Sequence, residues 1–223
     1  MNKIYLLERL KEKPTFTTID LQRILNSNKK YAQLRLNRLL KDQYISRVTN
    51  GTYTCNIEIE QIATNIVHPS YISGWYASYH KGYTEQIVNQ VTIFNKRIKK
   101  ETVFQNYKLK FVRTNYLFGY YKEDEYFIAD DNKLLIDALL YPKEFGNFDE
   151  IINIAKNGKF EKETVIDYLN KINKNSLNKK IGYILEKYQN IDLYGLIKID
   201  YNYVTIDDLK IKNKKWKIIW LQN

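Results

Sequence analysis

The N-terminal fold is decided by residues 17–54, TTIDLQRILNSNKKYAQLRLNRLLKDQYISRVTNGTYT. Thr17 followed three residues later by Asp20 is a capping-box pattern, with Asp in place of Glu, and predicts a helix that ends near Asn26. Ser27 is then a candidate N-cap for another helix, because apolar residues recur after it at helical spacing. These apolar residues are Ala32, Leu36, Leu39 and Leu40.

A β-hairpin is predicted directly after these helices. The segment Tyr44–Val48 alternates in polarity, and Asn50-Gly51 separates it from the β-prone run Thr52–Cys55. Asn-Gly between two such runs is the strongest short-range hairpin signal. A further amphipathic helix is predicted upstream, over Lys3–Lys11. The order of helix, helix, short turn, helix and hairpin is that of a winged helix-turn-helix, which we predict for residues 1–60.

The pattern changes beyond Glu60, and residues 61–223 predict a larger mixed α/β C-terminal domain, so the fold class is α+β. Helices are predicted over Ser73–Lys81, Asn132–Tyr141, Phe148–Lys156, Lys162–Ile172 and Leu177–Tyr188. Strands are predicted over Val91–Phe94, Tyr107–Val112, Leu117–Tyr121, Tyr126–Ile128, Leu196–Tyr203 and Trp216–Trp220.

The composition excludes several classes of protein. The chain has 223 residues, of which 44% are hydrophobic and 27% charged, as in a folded globular protein rather than a disordered or collagen-like one. Its longest apolar runs are far shorter than the roughly 18 residues of a membrane span, and its start lacks a signal-peptide pattern. A single cysteine, Cys55, excludes an internal disulfide and a four-cysteine zinc site. We therefore expect a cytoplasmic protein.

The net charge of +11 is unevenly distributed along the chain. Residues 1–60 carry +5, residues 94–122 carry +7, residues 123–170 carry −7, and residues 171–223 carry +6. A basic balance points to an anionic partner, with nucleic acid the first candidate. The abundance of Lys, Asn, Ile and Tyr, residues of AT-rich codons, accounts for part of this charge.

Three groups of polar residues are candidates for DNA contact. A recognition helix presents its N-terminal part to the major groove, where Gln reads adenine and basic side chains take guanine or phosphate, while a helix N-terminus binds phosphate. The candidates on the third helix are Ser27, Lys29, Lys30, Gln33, Arg35 and Asn37, with Arg38 beside them. Those on the hairpin are Arg47, Asn50 and Thr52, and those in the basic stretch are Lys96, Arg97, Lys99 and Lys100. The alternatives are an ordinary solvated helix face, a plain surface hairpin and a solvated turn.

The sequence contains little that indicates catalysis. His68 and His80 lack metal-ligand spacing with another His or Cys, and there is no glycine-rich phosphate loop. The adjacent pairs Asp130-Asp131 and Asp207-Asp208 do not naturally form one metal site, because neighbours on a strand point to opposite faces. We therefore predict no enzymatic activity, no metal and no cofactor. The alternative is a nucleic-acid-processing enzyme that uses the acidic block between Glu123 and Asp167.

Two further segments carry a family resemblance. Residues 71–86, YISGWYASYHKGYTEQ, and residues 137–146, DALLYPKEFG, resemble segments of the AbiEi-family antitoxins of type IV toxin–antitoxin systems. With the predicted winged helix, the resemblance covers about residues 4–155 and fades after Lys156. Ser78 and Tyr83 stand where many members of the family have leucine, which leaves the subfamily open.

This resemblance implies a cytoplasmic prokaryotic antitoxin that also represses transcription of its own operon. The winged helix of the family binds inverted repeats in double-stranded DNA, which makes a homodimer on the DNA a candidate assembly for this chain and leaves its oligomeric state open. The C-terminal domain counters a nucleotidyltransferase-like toxin, and the two proteins need not touch. The alternative is a standalone winged-helix regulator whose C-terminal domain senses a ligand or dimerises.

Overall fold

The computed structural model describes residues 2–206 and 212–219, which mix helices and sheets as predicted for the α+β class. Contacts divide these residues into two compact units. The first lies within Met1–Ile72, Asn89–Thr114 and Lys122–Phe127, and the second is formed by the remainder. The domain boundary predicted near residue 60 is based on a change in the sequence pattern and not on contacts. It stays a prediction.

The first unit begins with the predicted helices and hairpin. In chain order these elements are α1 (Lys3–Lys11), β1 (Phe16–Thr17), α2 (Thr18–Leu25), α3 (Lys29–Lys41), β2 (Ser46–Thr49) and β3 (Thr52–Thr54). The three strands form an antiparallel sheet in the order β1-β3-β2. The helices pack on an apolar core that includes the predicted stripe of α3. Its buried residues are Leu6, Leu10, Phe16, Leu21, Ala32, Leu36, Leu39, Ile45 and Tyr53.

One of the two predicted helix caps is confirmed and the other is wrong. Thr17 Oγ1 accepts from Asp20 N at 3.3 Å, and Asp20 Oδ2 accepts from Thr17 N at 2.9 Å, which completes the capping box of α2. The N-cap of α3 is Asn28 rather than Ser27, since Asn28 Oδ1 accepts from Tyr31 N at 2.9 Å. Ser27 N still donates to Gln22 O at 3.2 Å and therefore belongs to the end of α2.

The next elements form a six-stranded sheet. Each of its strands includes residues of the first unit. Its order is β6-β7-β5-β4-β9-β8, with β5 parallel and β6 antiparallel to β7. The strands are β4 (Ser70–Ser73), β5 (Gln90–Asn95), β6 (Thr102–Phe104), β7 (Tyr107–Arg113), β8 (Tyr120–Glu123) and β9 (Tyr126–Ala129). A short helix, α4 (Ile59–Asn65), packs against β5. The sequence analysis missed α4, β4 and β6.

The strand predicted over Leu117–Tyr121 begins only at Tyr120. Gly119 has φ +72°, a left-handed conformation that interrupts an extended strand. A Cβ added there would lie 2.6 Å from the ring of Tyr168, so only glycine fits. Strand β8 therefore begins after Gly119, at Tyr120.

The second unit is mainly helical and confirms the five predicted helices, with ends shifted by at most two residues. They are α5 (Gly74–His80), α6 (Asp131–Leu140), α7 (Phe148–Asn157), α8 (Lys162–Ile172) and α9 (Asn175–Gln189). Helices α6, α7 and α9 pack on one another. None of the helices within residues 2–206 and 212–219 is long and apolar enough to cross a membrane.

The strand predicted over Leu196–Tyr203 is wrong. Side chains of α9 bind this segment in place of a strand ladder: Asn178 Nδ2 donates to Lys198 O at 2.7 Å, and Lys179 and Asn175 both contact the carboxylate of Asp200.

The strand predicted over Trp216–Trp220 occurs as β11 (Ile218–Ile219), antiparallel to β10 (Lys212–Asn213). Trp220 and the predicted Asp207-Asp208 pair lie outside the described residues.

Candidate nucleic-acid interface

The outer face of α3 is polar at its N-terminal end and apolar in the middle. Lys29 and Lys30 are exposed, as predicted. Gln33 is only half-buried, and its Nε2 donates to Asn37 Oδ1 at 3.2 Å. This bond leaves the Gln33 amide oxygen and one N–H available to a base edge, because an amide has two donors and one acceptor oxygen.

Two of the predicted contacts on or beside α3 are partly covered. Ser27 Oγ is buried and has no hydrogen-bond partner among the described residues. Arg35 is half-buried, and its Nε is likewise buried without a hydrogen-bond partner among the described residues. Phosphate contact by the Ser27 hydroxyl therefore requires a local movement, whereas Asn37 and Arg38 are exposed without one.

Tyr31 and Leu34 are contact candidates that the sequence analysis missed. They are 45% and 47% exposed, on the side of α3 opposite its buried leucine stripe. Apolar side chains on a groove-facing helix contact the methyl group of thymine. The signal was present in the helical spacing, because Leu34 lies two residues from the buried Leu36 and therefore points away from the core.

An open basic cleft, here called the wing cleft, joins the hairpin to the basic stretch. It encloses about 480 Å³ and is lined on one side by Arg47, Val48, Thr49 and Asn50 and on the other by Lys99, Lys100, Glu101 and Thr102. Strand β6 packs against β2 there, and Thr102 Oγ1 donates to Val48 O at 3.4 Å. Two groups that the sequence placed far apart are therefore neighbours on one surface.

The electrostatics of the wing cleft are mostly positive. Its one carboxylate, Glu101, pairs with Lys108 at 3.0 Å, so Arg47, Lys99 and Lys100 dominate the local charge. Burial lowers the pKa of Lys99, whose Nζ lies 5.4 Å from the centre of the Phe111 ring. A desolvated cation is the more strongly attracted to an approaching anion.

The remaining predicted residues border this cleft without lining it. Lys96 and Arg97 are exposed, and Asn95 Oδ1 accepts from Arg97 N at 2.7 Å, which fixes the start of the basic stretch. Thr52 is half-buried and lies opposite Thr49 in the hairpin.

The acidic pair Asp130-Asp131 of the second unit makes hydrogen bonds and an ion pair at the start of α6. Asp130 is the N-cap of α6: it accepts from Lys133 N and from Tyr168 Oη, each at 2.7 Å, and burial raises its pKa. Asp131 accepts from Tyr83 Oη at 2.8 Å and pairs with Lys81 at 3.1 Å. Within the described part of the chain, no group of three or more His, Cys, Asp or Glu residues is placed to hold a metal ion.

The two segments that carry the family resemblance meet inside the second unit. Ser73 Oγ donates to Asp137 Oδ2 at 3.0 Å, and Asp137 also pairs with Lys133. All three side chains are buried. These segments are therefore bound to each other by a polar network.

No protein-family model matches the chain, and no curated protein matches it in sequence.

Proposed function

We propose that this chain binds double-stranded DNA through a winged helix-turn-helix formed by α1–α3 and the β2–β3 hairpin. The observation that carries the proposal is the wing cleft, in which Arg47 and Asn50 of the hairpin lie beside Lys99 and Lys100. A surface of this charge, next to a helix with an exposed polar end, suits a phosphate backbone.

The two surfaces have different tasks in this proposal. The N-terminal half of α3 enters the major groove, where Lys29, Lys30, Gln33 and Leu34 meet base edges. The wing cleft takes the phosphates beside that groove, and such contacts fix the position of the protein without reading sequence. Specificity and affinity are therefore separable by mutation.

We propose further that the protein is an antitoxin and an autorepressor of a type IV toxin–antitoxin operon in a prokaryotic cytoplasm. The resemblance of residues 71–86 and 137–146 to the AbiEi family supports this, as does the contact between the two segments through Ser73 and Asp137. In this proposal the chain performs no catalytic step, and it counters a nucleotidyltransferase-like toxin without having to bind it.

One observation favours the alternative of a standalone, ligand-sensing regulator. The second unit contains a largely apolar cavity of about 260 Å³, lined by residues that include Leu139, Phe148, Ile151 and Lys180. Such a cavity suits a small molecule with an anionic group.

The DNA-binding proposal is tested with full-length protein and the DNA upstream of its own gene. A mobility-shift titration should give binding that a scrambled duplex of equal length does not match. Replacing Arg47, Lys99 and Lys100 by Gln should weaken binding to both duplexes. Lys122→Gln is the matched control, because Lys122 is an exposed lysine of the same unit, paired with Glu125. Equal affinity for both duplexes would contradict sequence-specific binding.

The antitoxin proposal is tested by co-expression with the adjacent gene product, scored for growth. Growth rescue supports it. Repression of the promoter without rescue would instead support the standalone regulator.

A further inference from the structure

Glu150 is a buried carboxylate without a counter-charge. It lies in the first turn of α7 and is only 4% exposed. Its backbone N donates to Asn147 Oδ1 at 3.1 Å, but its side chain makes no hydrogen bond or ion pair with any described residue, and Oε2 is fully covered. A buried charge that is neither paired nor hydrogen-bonded is costly, so a compensating ligand is expected.

Glu150 lines a polar pocket of about 450 Å³ in the second unit. One wall is α7, which contributes Glu150, Asn153 and Asn157, and the other is the loop Gly82–Gln86. A volume of this size accommodates a small organic molecule and far exceeds a single metal ion.

The loop wall of this pocket is held in place. Gly82 has φ +74°, and Gly82 N and Tyr83 N donate to Tyr79 O and Ser78 O, which is the Schellman ending of α5. Tyr83 Oη donates to Asp131 at 2.8 Å. The pocket is therefore bounded by fixed backbone.

The two charged side chains of this pocket, Glu150 and Glu85, are both carboxylates, and the side-chain amides of Gln86, Asn153 and Asn157 supply further acceptors and donors. Asn157 Nδ2 donates to Asn153 O at 3.0 Å, which leaves its Oδ1 as an acceptor and one N–H as a donor. The Tyr83 hydroxyl already donates its hydrogen bond to Asp131. Glu85 adds a second, exposed carboxylate to the lining. A ligand that matches the two carboxylates is positively charged, and N–H groups on it can donate to the amide oxygens of the lining.

We propose that this pocket binds a small organic cation through a guanidinium group, with Glu150 as its carboxylate partner. A guanidinium donates an N–H to the carboxylate of Glu150 and keeps further donors for acceptors such as Asn157 Oδ1. One buried negative charge balances one positive charge. This site is independent of the proposed DNA interface, because all of its lining residues belong to the second unit.

The test is a titration of full-length protein with methylguanidinium, followed by the backbone amide signals of α7 in NMR. Saturable shifts of the signals around Glu150 are expected, and the neutral isostere methylurea should not produce them. Glu150→Gln should weaken binding by about tenfold or more, since a hydrogen bond to a charged group contributes that much. Asp149→Asn is the matched control, because Asp149 is the exposed neighbour on the same turn and should leave binding unchanged.

Three results would overturn the assignment: no saturable shift with methylguanidinium, equal binding of methylurea, or unchanged binding in Glu150→Gln. Saturable binding of Mg²⁺ that displaces methylguanidinium and is lost in Glu150→Gln would also overturn it, in favour of a metal site. If Glu150→Gln fails to fold, Asn153→Leu serves the same purpose, because it removes a lining amide and should weaken binding without removing a charge.

Discussion

The hydroxyl of Ser73 donates a 3.0 Å hydrogen bond to the buried carboxylate of Asp137, 64 residues further along the chain. On the other side, Asp137 pairs with Lys133, whose side chain is fully buried. A buried ion pair adds little net stability, but breaking it leaves an uncompensated charge. The contact therefore makes the second unit sensitive to any change at these three positions.

This sensitivity is measured by comparing two Lys–Asp pairs of the same helical spacing. Asp137→Asn should lower the free energy of unfolding by about 3 kcal/mol, because it removes the negative charge that faces the buried ammonium group of Lys133. Asp167→Asn removes the partner of Lys171 in a pair whose side chains are 55% and 52% exposed, and should cost only about 0.3–0.5 kcal/mol. Urea unfolding of both variants provides the measurement. Similar losses would show that burial does not govern the first pair.

The wing cleft predicts a particular salt dependence of DNA binding. Each lost phosphate contact should flatten the slope of log K against log salt by about 0.9. Replacing Arg47, Lys99 and Lys100 together by Gln should flatten it in proportion to the contacts removed. Binding isotherms at several salt concentrations measure the slope, with Lys122→Gln as the control. An unchanged slope in the triple variant would show that this surface does not contact phosphates, as expected for a solvated turn.

The exposed position of Leu34 predicts that its substitution reduces sequence-specific DNA binding without reducing the stability of the protein. Leu34→Ala should weaken binding to the proposed operator by about 1 kcal/mol, roughly fivefold, because it removes apolar contact area. Stability should change by no more than about 0.5 kcal/mol, since the side chain is exposed. Gln33→Ala should likewise relax sequence preference more than affinity for random DNA. The measurement is anisotropy on both duplexes. Equal losses on both would remove α3 from base recognition.

The capping box of α2 predicts a stability that depends on pH. Burial raises the pKa of Asp20, but hydrogen bonds from Lys13 and Thr17 outweigh this and hold it at about 2. Because this pKa lies below the ordinary value of 3.8, the stabilisation is present above pH 4 and is lost as the pH falls towards 2. Wild type should therefore exceed Asp20→Asn in stability at pH 7, and this difference should shrink near pH 2. A difference independent of pH would assign the effect to the cap geometry alone.

Local sequence signals predicted the helices and the hairpin well. The Thr17–Asp20 capping box and the Asn50-Gly51 turn are decided by nearby residues, and the structure forms both. Ser27 failed as a cap because the ending of α2 extends one residue further than its pattern indicates. Leu196–Tyr203 failed as a strand because side chains of α9 replace the ladder there, and local propensity does not contain such a contact.

The candidate site depended more strongly on tertiary structure. The chemistry of Arg47, Asn50, Lys99 and Lys100 made them candidates, but their sequence could not place the two pairs side by side, because the packing of β6 on β2 joins positions about 50 residues apart. Glu150 was counted only as part of an acidic block. Its burial beside a pocket that α7 shares with the loop Gly82–Gln86 depends on tertiary structure, which no short-range pattern specifies.

The first unit is assembled from three separate stretches of chain, the last of which ends at Phe127. During synthesis, strand β6 reaches the hairpin strand β2 only after the residues between them have left the ribosome. The helices and hairpin are available first, whereas the wing cleft is completed only once residues 99–102 have emerged. A nascent chain stalled before Lys99 would therefore display α3 without its basic neighbour, and any premature contact with DNA would rest on the helix alone.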